Sequence, residues 1–319
     1  MPINEVRNTV LAIANKNNYG YISPQDFNLY CQQAQMSLFE DYFYAYNNQI
    51  VKENQRLSGT GYADITKGLV EVIDTFYEYI PLGRAGIDLN QYTLPLDYYL
   101  INKILIYTSQ LATGTTTAVN GGGVKVADST ATFITDGVVV GDIASTVTSG
   151  VTYNTVITQI VSETEMLVRS TSGAIVWDSI GKTYTIYSGT KIKEAERVPH
   201  SKITMLNNSI LTKPTISYPS YTQNALVMES YPNTIVGIGQ VTSQYVRYPY
   251  APKWTYALIT VGEPVFDASQ NDYQDFELPL SDEPALIAKI CKYVGIEIRE
   301  ADVYQFGAAE LTSEQQTQA

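Results

Sequence analysis

The chain holds one histidine, His200, in the run Val198-Pro199-His200-Ser201-Lys202. An imidazole beside a hydroxyl points to nucleophilic acyl transfer, in which the ring takes the hydroxyl proton and a carboxylate orients the ring. Direct chain adjacency of Ser201 suits that transfer poorly, and the Gly-x-Ser-x-Gly elbow is absent from the sequence. His200 therefore reads as a hydrogen-bonding loop or core residue. Carboxylates are the second candidates. Asp272, Asp275 and Glu277 lie in the acidic stretch 267–279, where two of them could form a glycosidase pair. Solvated acidic loops are common, and the stretch lacks the EF-hand pattern that would hold calcium. Cys31 and Cys291 are too far apart in sequence to suggest a zinc spacing or a disulfide framework, and both read as reduced thiols packed in a core. Gly121-Gly122-Gly123 is not followed by the Gly-Lys-Ser/Thr of a phosphate loop. The chain accordingly reads as non-enzymatic, with no cofactor and no metal.

Composition points the same way. Charged residues make up 16% of the 319, below the roughly 25% typical of soluble domains. Thr, Ser, Asn, Gln and Tyr fill the difference. There are 26 Tyr against 8 Phe, more than one core can absorb as half-buried strand residues. A ring that is apolar along its body and polar at its tip suits protein–protein contact. The net charge is −12, with no cluster of Lys and Arg to grip nucleic acid. An acidic lumen could still let DNA slide, because contact would release no counterions. The N-terminal residues lack a signal-peptide pattern, and no apolar run reaches the length of about 18 residues that a spanning helix needs.

Elements that must position these groups follow from periodicity. Residues 4–14 read as a short helix. Ser23-Pro24-Gln25-Asp26 starts a second one: Ser23 can cap, Pro24 suits the first turn and Asp26 meets the positive dipole end. Apolar and aromatic residues then recur at three and four as far as Tyr46, with Phe39, Tyr42, Phe43 and Tyr46 as a candidate subunit-packing surface. That helix should end before Ser58-Gly59. A third helix is predicted over 66–79, with Leu69, Val72, Ile73, Phe76 and Ile80 on one face and Pro81 as its stop. Strands are predicted over 92–95 and 98–107. Residues 110–189 hold 10 of the 21 Gly and are rich in Thr and Ser. Short strand-like runs there, at 137–143, 155–161, 166–169, 174–177 and 183–187, suggest an inserted small barrel or sandwich. Residues 191–198 alternate and should return to pair with the strand before residue 110, making the insert a hairpin-tip excursion. Further strands are predicted at 225–228, 234–238, 245–248 and 254–259. A helix starts at Ser281-Asp282-Glu283-Pro284 and should stop at Gly295, with a last short helix over 298–306. The fold class is α+β, mostly antiparallel in its sheet. Residues 1–109 and 190–310 would form a discontinuous core domain, 110–189 an inserted all-β module and 311–319 a disordered tail.

Three stretches together resemble a known group of proteins. They are Ser23-Pro24-Gln25-Asp26-Phe27-Asn28 with its aromatic helix, Glu196-Arg197-Val198-Pro199-His200-Ser201-Lys202-Ile203, and Glu283-Pro284-Ala285-Leu286 through Gly295-Ile296-Glu297-Ile298-Arg299-Glu300. The resemblance is to virion structural proteins of crAss-like and related short-tailed bacteriophages, in the neck, as ring or adaptor proteins between portal and tail. It covers most of the chain outside residues 110–190. It implies a cyclic, head-to-tail ring, twelve-fold to match a portal, with portal and other neck or tail proteins as partners and genomic DNA passing through the lumen. It implies a virion location, after assembly in the host bacterial cytoplasm. The alternatives kept beside it are a capsid decoration or head-fibre subunit and a glycan- or receptor-binding module.

Overall fold

The computed structural model describes residues 1–14, 22–54, 65–85, 90–118, 124–170, 176–258 and 264–297, with isolated positions 305, 308, 309 and 312. Ser58-Gly59, the glycine triplet at 121–123, the short helix expected over 298–306 (save residue 305) and nearly all of the tail from 311 lie outside the described residues. In chain order the elements are α1 (Ile3–Ala14), α2 (Pro24–Asn54), α3 (Ile65–Asp74), β1 (Tyr77–Pro81), β2 (Gly83–Arg84), β3 (Gln91–Thr93), β4 (Tyr98–Tyr107), β5 (Gln110–Thr115), β6 (Lys125–Ala127) and β7 (Ile143–Thr148). They continue with β8 (Val151–Ser162), β9 (Glu165–Ser170), β10 (Thr183–Tyr187), β11 (Ile192–Arg197), α4 (His200–Asn208), β12 (Ser220–Asn224), β13 (Val227–Tyr231), β14 (Val241–Arg247), β15 (Tyr256–Leu258), β16 (Pro264–Phe266) and α5 (Glu283–Glu297). The fold is α+β and antiparallel-rich. Two compact units emerge: Met1–Phe76 with Tyr248–Ala319, and Tyr77–Arg247.

The first unit is helical with a small hairpin. α1 buries Ile3, Val6, Val10 and Ala14, spaced as one helical face. Its N-terminus is satisfied from far along the chain: Ile3 N–H donates to Asp275 Oδ1 at 2.8 Å, and the Met1 ammonium donates to the Phe276 carbonyl at 2.9 Å. Ser23 caps α2 as expected, its Oγ accepting the Asp26 N–H at 3.1 Å and donating to the Asp26 carboxylate. α2 packs Phe27, Cys31, Ala34, Leu38 and Phe39 inward, and α5 answers with Leu286, Ile290, Cys291 and Val294. α5 runs through Gly295 to Glu297, so the expected stop at that glycine does not occur.

α3 ends at Asp74, five residues short of the predicted limit. Residues 77–81 form an edge strand instead, pairing antiparallel with β14 from Tyr77↔Val246 to Pro81↔Thr242. Tyr-Glu-Tyr-Ile alternates and favours extended backbone as readily as helix, and the long-range ladder decides the matter. A proline is tolerated there because the strand is an edge.

The second unit holds an eight-stranded sheet in the order β1-β14-β4-β11-β12-β13-β3-β2 and a six-stranded sheet in the order β5-β10-β7-β8-β9-β6. The return strand falls where its alternation placed it: Ile192 pairs with Tyr107 and Ala195 with Ile104. The ladder continues beyond that point. Thr108 N–H donates to Lys191 O and Ser188 N–H to Ser109 O, both at 2.9 Å, and Gln110 then pairs with Tyr187. One long hairpin, β4–β5 against β10–β11, thus runs through both sheets. The six-stranded sheet nearly closes into a barrel, because Ala118 beyond β5 bridges back to Ala127 of β6. Phe133, Ile157, Met166 and Trp177 fill its interior, and Trp177 Nε1 donates to Thr155 Oγ1 at 3.2 Å.

Several short elements differ from expectation. Residues 137–142 form turns, not a strand, since Gly137 and Gly141 take φ of 77° and 96° and Asp142 accepts the Val139 N–H. Of the run 174–177, residues 174 and 175 lie outside the described residues, and Val176 and Trp177 are buried without strand pairing. Residues 234–238 are a loop that drops Ile235 into the sheet's core. Ala225, at φ 50°, makes the turn between β12 and β13. α4 has no counterpart among the predicted elements.

The barrel is seated on the large sheet through that loop. Tyr107 and Tyr187 stack with centroids 5.7 Å apart. Gln240 Nε2 donates to Tyr107 O at 3.1 Å, and Asn154 Nδ2 to Gly239 O at 3.2 Å. Two glycines allow the approach: a Cβ on Gly237 would lie 1.9 Å from the Tyr187 hydroxyl, and one on Gly239 would lie 2.3 Å from Asn154 Oδ1. Gly237→Ala should therefore lower stability by about 1–3 kcal/mol in denaturant titration, as overpacking does. The Tyr187 hydroxyl has no partner among the described residues. Tyr187→Phe should accordingly be nearly neutral alone and should recover most of the loss in the double variant.

Candidate functional site

The residues that could do chemistry are dispersed. His200 opens α4 on the surface, with Nε2 3.1 Å from the Gln223 carbonyl oxygen. Ser201 is the next residue of the same helix, and no carboxylate contacts the ring among the described residues. No group of three or more His, Cys, Asp or Glu side chains converges among them either. Cys31 and Cys291 are buried, and burial raises both thiols, Cys291 to about 11, which disfavours the thiolate needed for attack or metal binding.

The acidic stretch 267–279 is a strap. Asp267 holds its own turn through Ser269 N–H at 2.9 Å and Ser269 Oγ at 2.6 Å. Asp272 pairs with Lys253. Asp275 caps α1 and accepts the Tyr273 hydroxyl at 2.7 Å. Glu277 accepts the Tyr250 N–H at 2.8 Å. Gln35, buried on α2, locks the strap by donating to Tyr250 O at 2.8 Å and accepting from Glu277 N–H at 3.2 Å. The Ser269 hydroxyl bond holds Asp267 below the usual carboxylate range, and the Lys253 bond does the same for Asp272. A general acid near neutrality needs the opposite shift. Burial first, and then Asp275, push the Tyr273 hydroxyl up to about 12.

Of the four aromatics expected on a packing surface, Phe39 is fully buried, edge-on to Phe43 at 5.1 Å and to Phe76 at 5.0 Å. Tyr42 is also buried, its hydroxyl donating to Asp282. Both belong to the core of their own unit. Phe43 and Tyr46 are half-buried, and Tyr44 is the most exposed ring on the helix. The periodicity identifies an apolar stripe, but the stripe faces inward.

Two clefts stand out. One in the first unit, of about 340 Å³, is lined by Gln25, Asn28, Lys253, Trp254, Tyr256 and Asp272. Its polar groups are engaged internally: the Asn28 amide exchanges both hydrogen bonds with the Trp254 backbone, and Lys253 holds Asp272. Trp254 is buried, with the Arg7 guanidinium 3.9 Å from its ring centroid. The arrangement is a structural joint.

The other cleft, of about 380 Å³, lies beside α4 in the second unit, lined by Val198, Leu206, Leu211, Lys213, Pro214 and Tyr218 among others. α4 turns Ile203 and Leu206 onto Val198 and Tyr231. Beyond Asn208, Ser209 reverses the chain, its carbonyl accepting the Lys213 N–H at 3.1 Å and its Oγ the Thr212 N–H at 3.3 Å. Thr215 and Tyr218 then exchange backbone bonds at 3.2 and 3.1 Å. Four large side chains of this segment are exposed: Met205 of α4 at 75%, Ile210 at 98%, Leu211 at 95% and Tyr218 at 82%. Residue periodicity does not mark this edge. The available signal was an aliphatic pair, Ile210-Leu211, set among turn-forming Asn, Ser, Lys and Pro.

Two outcomes follow. His200→Ala should change stability by no more than about 1 kcal/mol, since it removes one solvent-exposed hydrogen bond to the Gln223 carbonyl. Asp267 and Asp272 are lowered on folding, so their stabilisation is complete above the unfolded carboxylate pKa of about 4 and is lost as pH falls through the folded values. In acid titration followed by circular dichroism, Asp267→Asn should narrow the stability gap between neutral pH and pH below 4. No protein-family model matches the chain, and no curated protein matches it either.

Proposed function

We propose that this chain is a non-enzymatic structural subunit of a tailed-phage virion, a ring or adaptor protein of the neck that connects portal to tail and lines the DNA passage. The observation that carries the reading is the hydrogen-bonded edge at residues 205–218, where large apolar groups are held in solvent by a defined turn. Met205, Ile210, Leu211 and Tyr218 are each at least 75% exposed, and large apolar side chains concentrated in one segment suit a partner that covers them. The use of the acidic strap's carboxylates in caps, turns and ion pairs supports a scaffolding role over a chemical one.

The resemblance to neck ring proteins adds to this. Its second stretch, 196–203, spans the end of β11 and the start of α4 and so positions the edge. Its first stretch is the capped start of α2, and its third, as far as Glu297, is α5. The net charge of −12 suits a passage through which DNA moves without being gripped.

The test is electron microscopy of the full chain, alone and mixed with the portal of the same particle. Closed rings, or ordered density on the portal, are the expected result. A chain that stays monomeric in both samples at micromolar concentration overturns the reading, and labelled chain found over the capsid exterior would replace it with a decoration role.

A further inference from the structure

Charge is unevenly shared between the two units. Residues 1–76 and 248–319 hold nine Lys and Arg against twenty Asp and Glu, a net of −11; residues 77–247 hold eleven against twelve, a net of −1. Within the second unit, the segment 191–213 carries Lys191, Lys193, Arg197, Lys202 and Lys213 against Glu194 and Glu196, a net of +3. Glu194 is already paired with Lys103 at 3.1 Å. The exposed edge of Met205, Ile210, Leu211 and Tyr218 therefore sits in the most basic part of an acidic chain.

We infer that this edge docks onto the acidic unit, residues 1–76 with 248–319, of a second copy of the chain. The inference rests on the assembly reading above and names the surface and the occupant. Lys213 lines the same cleft as Leu211 and Tyr218, beside Glu196, and Arg197 and Lys202 are exposed nearby in sequence; a net-positive segment of this kind fits a partner of opposite charge, and the other copy supplies one at −11. Contact between unlike surfaces is heterologous, so each copy would use its edge once and its acidic unit once, as a ring requires. Apolar side chains at the centre would hold the contact, and the surrounding charges would set its rate and specificity. Phosphate recognition would not place Ile210 and Leu211 at the tip, which favours protein over DNA.

The full chain with Leu211 replaced by p-benzoylphenylalanine is irradiated in a mixture with uniformly ¹⁵N-labelled wild-type chain. Cross-linked peptides joining position 211 to labelled residues 1–76 or 248–319 are expected. Cross-links confined to labelled residues 77–247, or capture of added duplex DNA in place of protein, overturn the inference. The double variant Ile210→Asp/Leu211→Asp should raise the concentration needed for half-assembly at least about tenfold in analytical ultracentrifugation. Its unfolding midpoint should stay unchanged, because both side chains are already in water. Raising ionic strength should weaken wild-type assembly. If wild type forms rings and the double variant forms them equally well, the docking edge is wrong and the assembly reading stands. If wild type stays monomeric alone and with the portal, both fall.

Discussion

The second unit depends on one antiparallel ladder. Pairing Tyr107 with Ile192 brings together the points where the chain leaves and re-enters the large sheet, and the same ladder carries on into the barrel as Gln110 against Tyr187. A closed loop of this length costs entropy once, when its ends meet. After that, barrel strands can pair locally, since β7–β8 and β8–β9 are hairpins of short span. The stacked rings of Tyr107 and Tyr187 stand where the ladder passes from one sheet to the other, and Gly237 must be without a side chain for the second ring to fit.

A different constraint governs the first unit, the satisfaction of backbone groups at helix ends. α1 begins at Ile3, and Asp275 and Phe276, more than 270 residues away in sequence, supply partners for Ile3 N–H and the Met1 ammonium. Buried Gln35 does the same for the strap's backbone. Carboxylates that would suggest catalysis in a bare sequence are thereby committed to structure. Removing a charged acceptor from such a place leaves an amide without its partner, which costs more than the bond contributes.

The edge at 205–218 reverses that economy. Here backbone hydrogen bonds shape the turn after α4 while large apolar side chains are left in water. Folding gains no burial from Ile210 and Leu211, whose side chains stay exposed. The segment that holds most of the edge, residues 191–213, is net positive in a chain of net charge −12.

Local rules were sufficient for much of this architecture. The α+β class, the Ser23 cap, the first two helices, β4 and the alternating return strand β11 could all be read from side-chain period and capping chemistry, because those signals act within a few residues. The candidate aromatics were found as a stripe, yet which way Phe39 and Tyr42 point depends on Phe76 and Asp282, distant in sequence. Residues 77–81 fit two periods, and only β14 could choose between them. The exposed edge was invisible for a related reason: an aliphatic pair in a sequence looks the same whether a core will cover it or not. Sequence determined the local elements; tertiary structure decided burial, because burial is a property of neighbours brought together by long-range pairing.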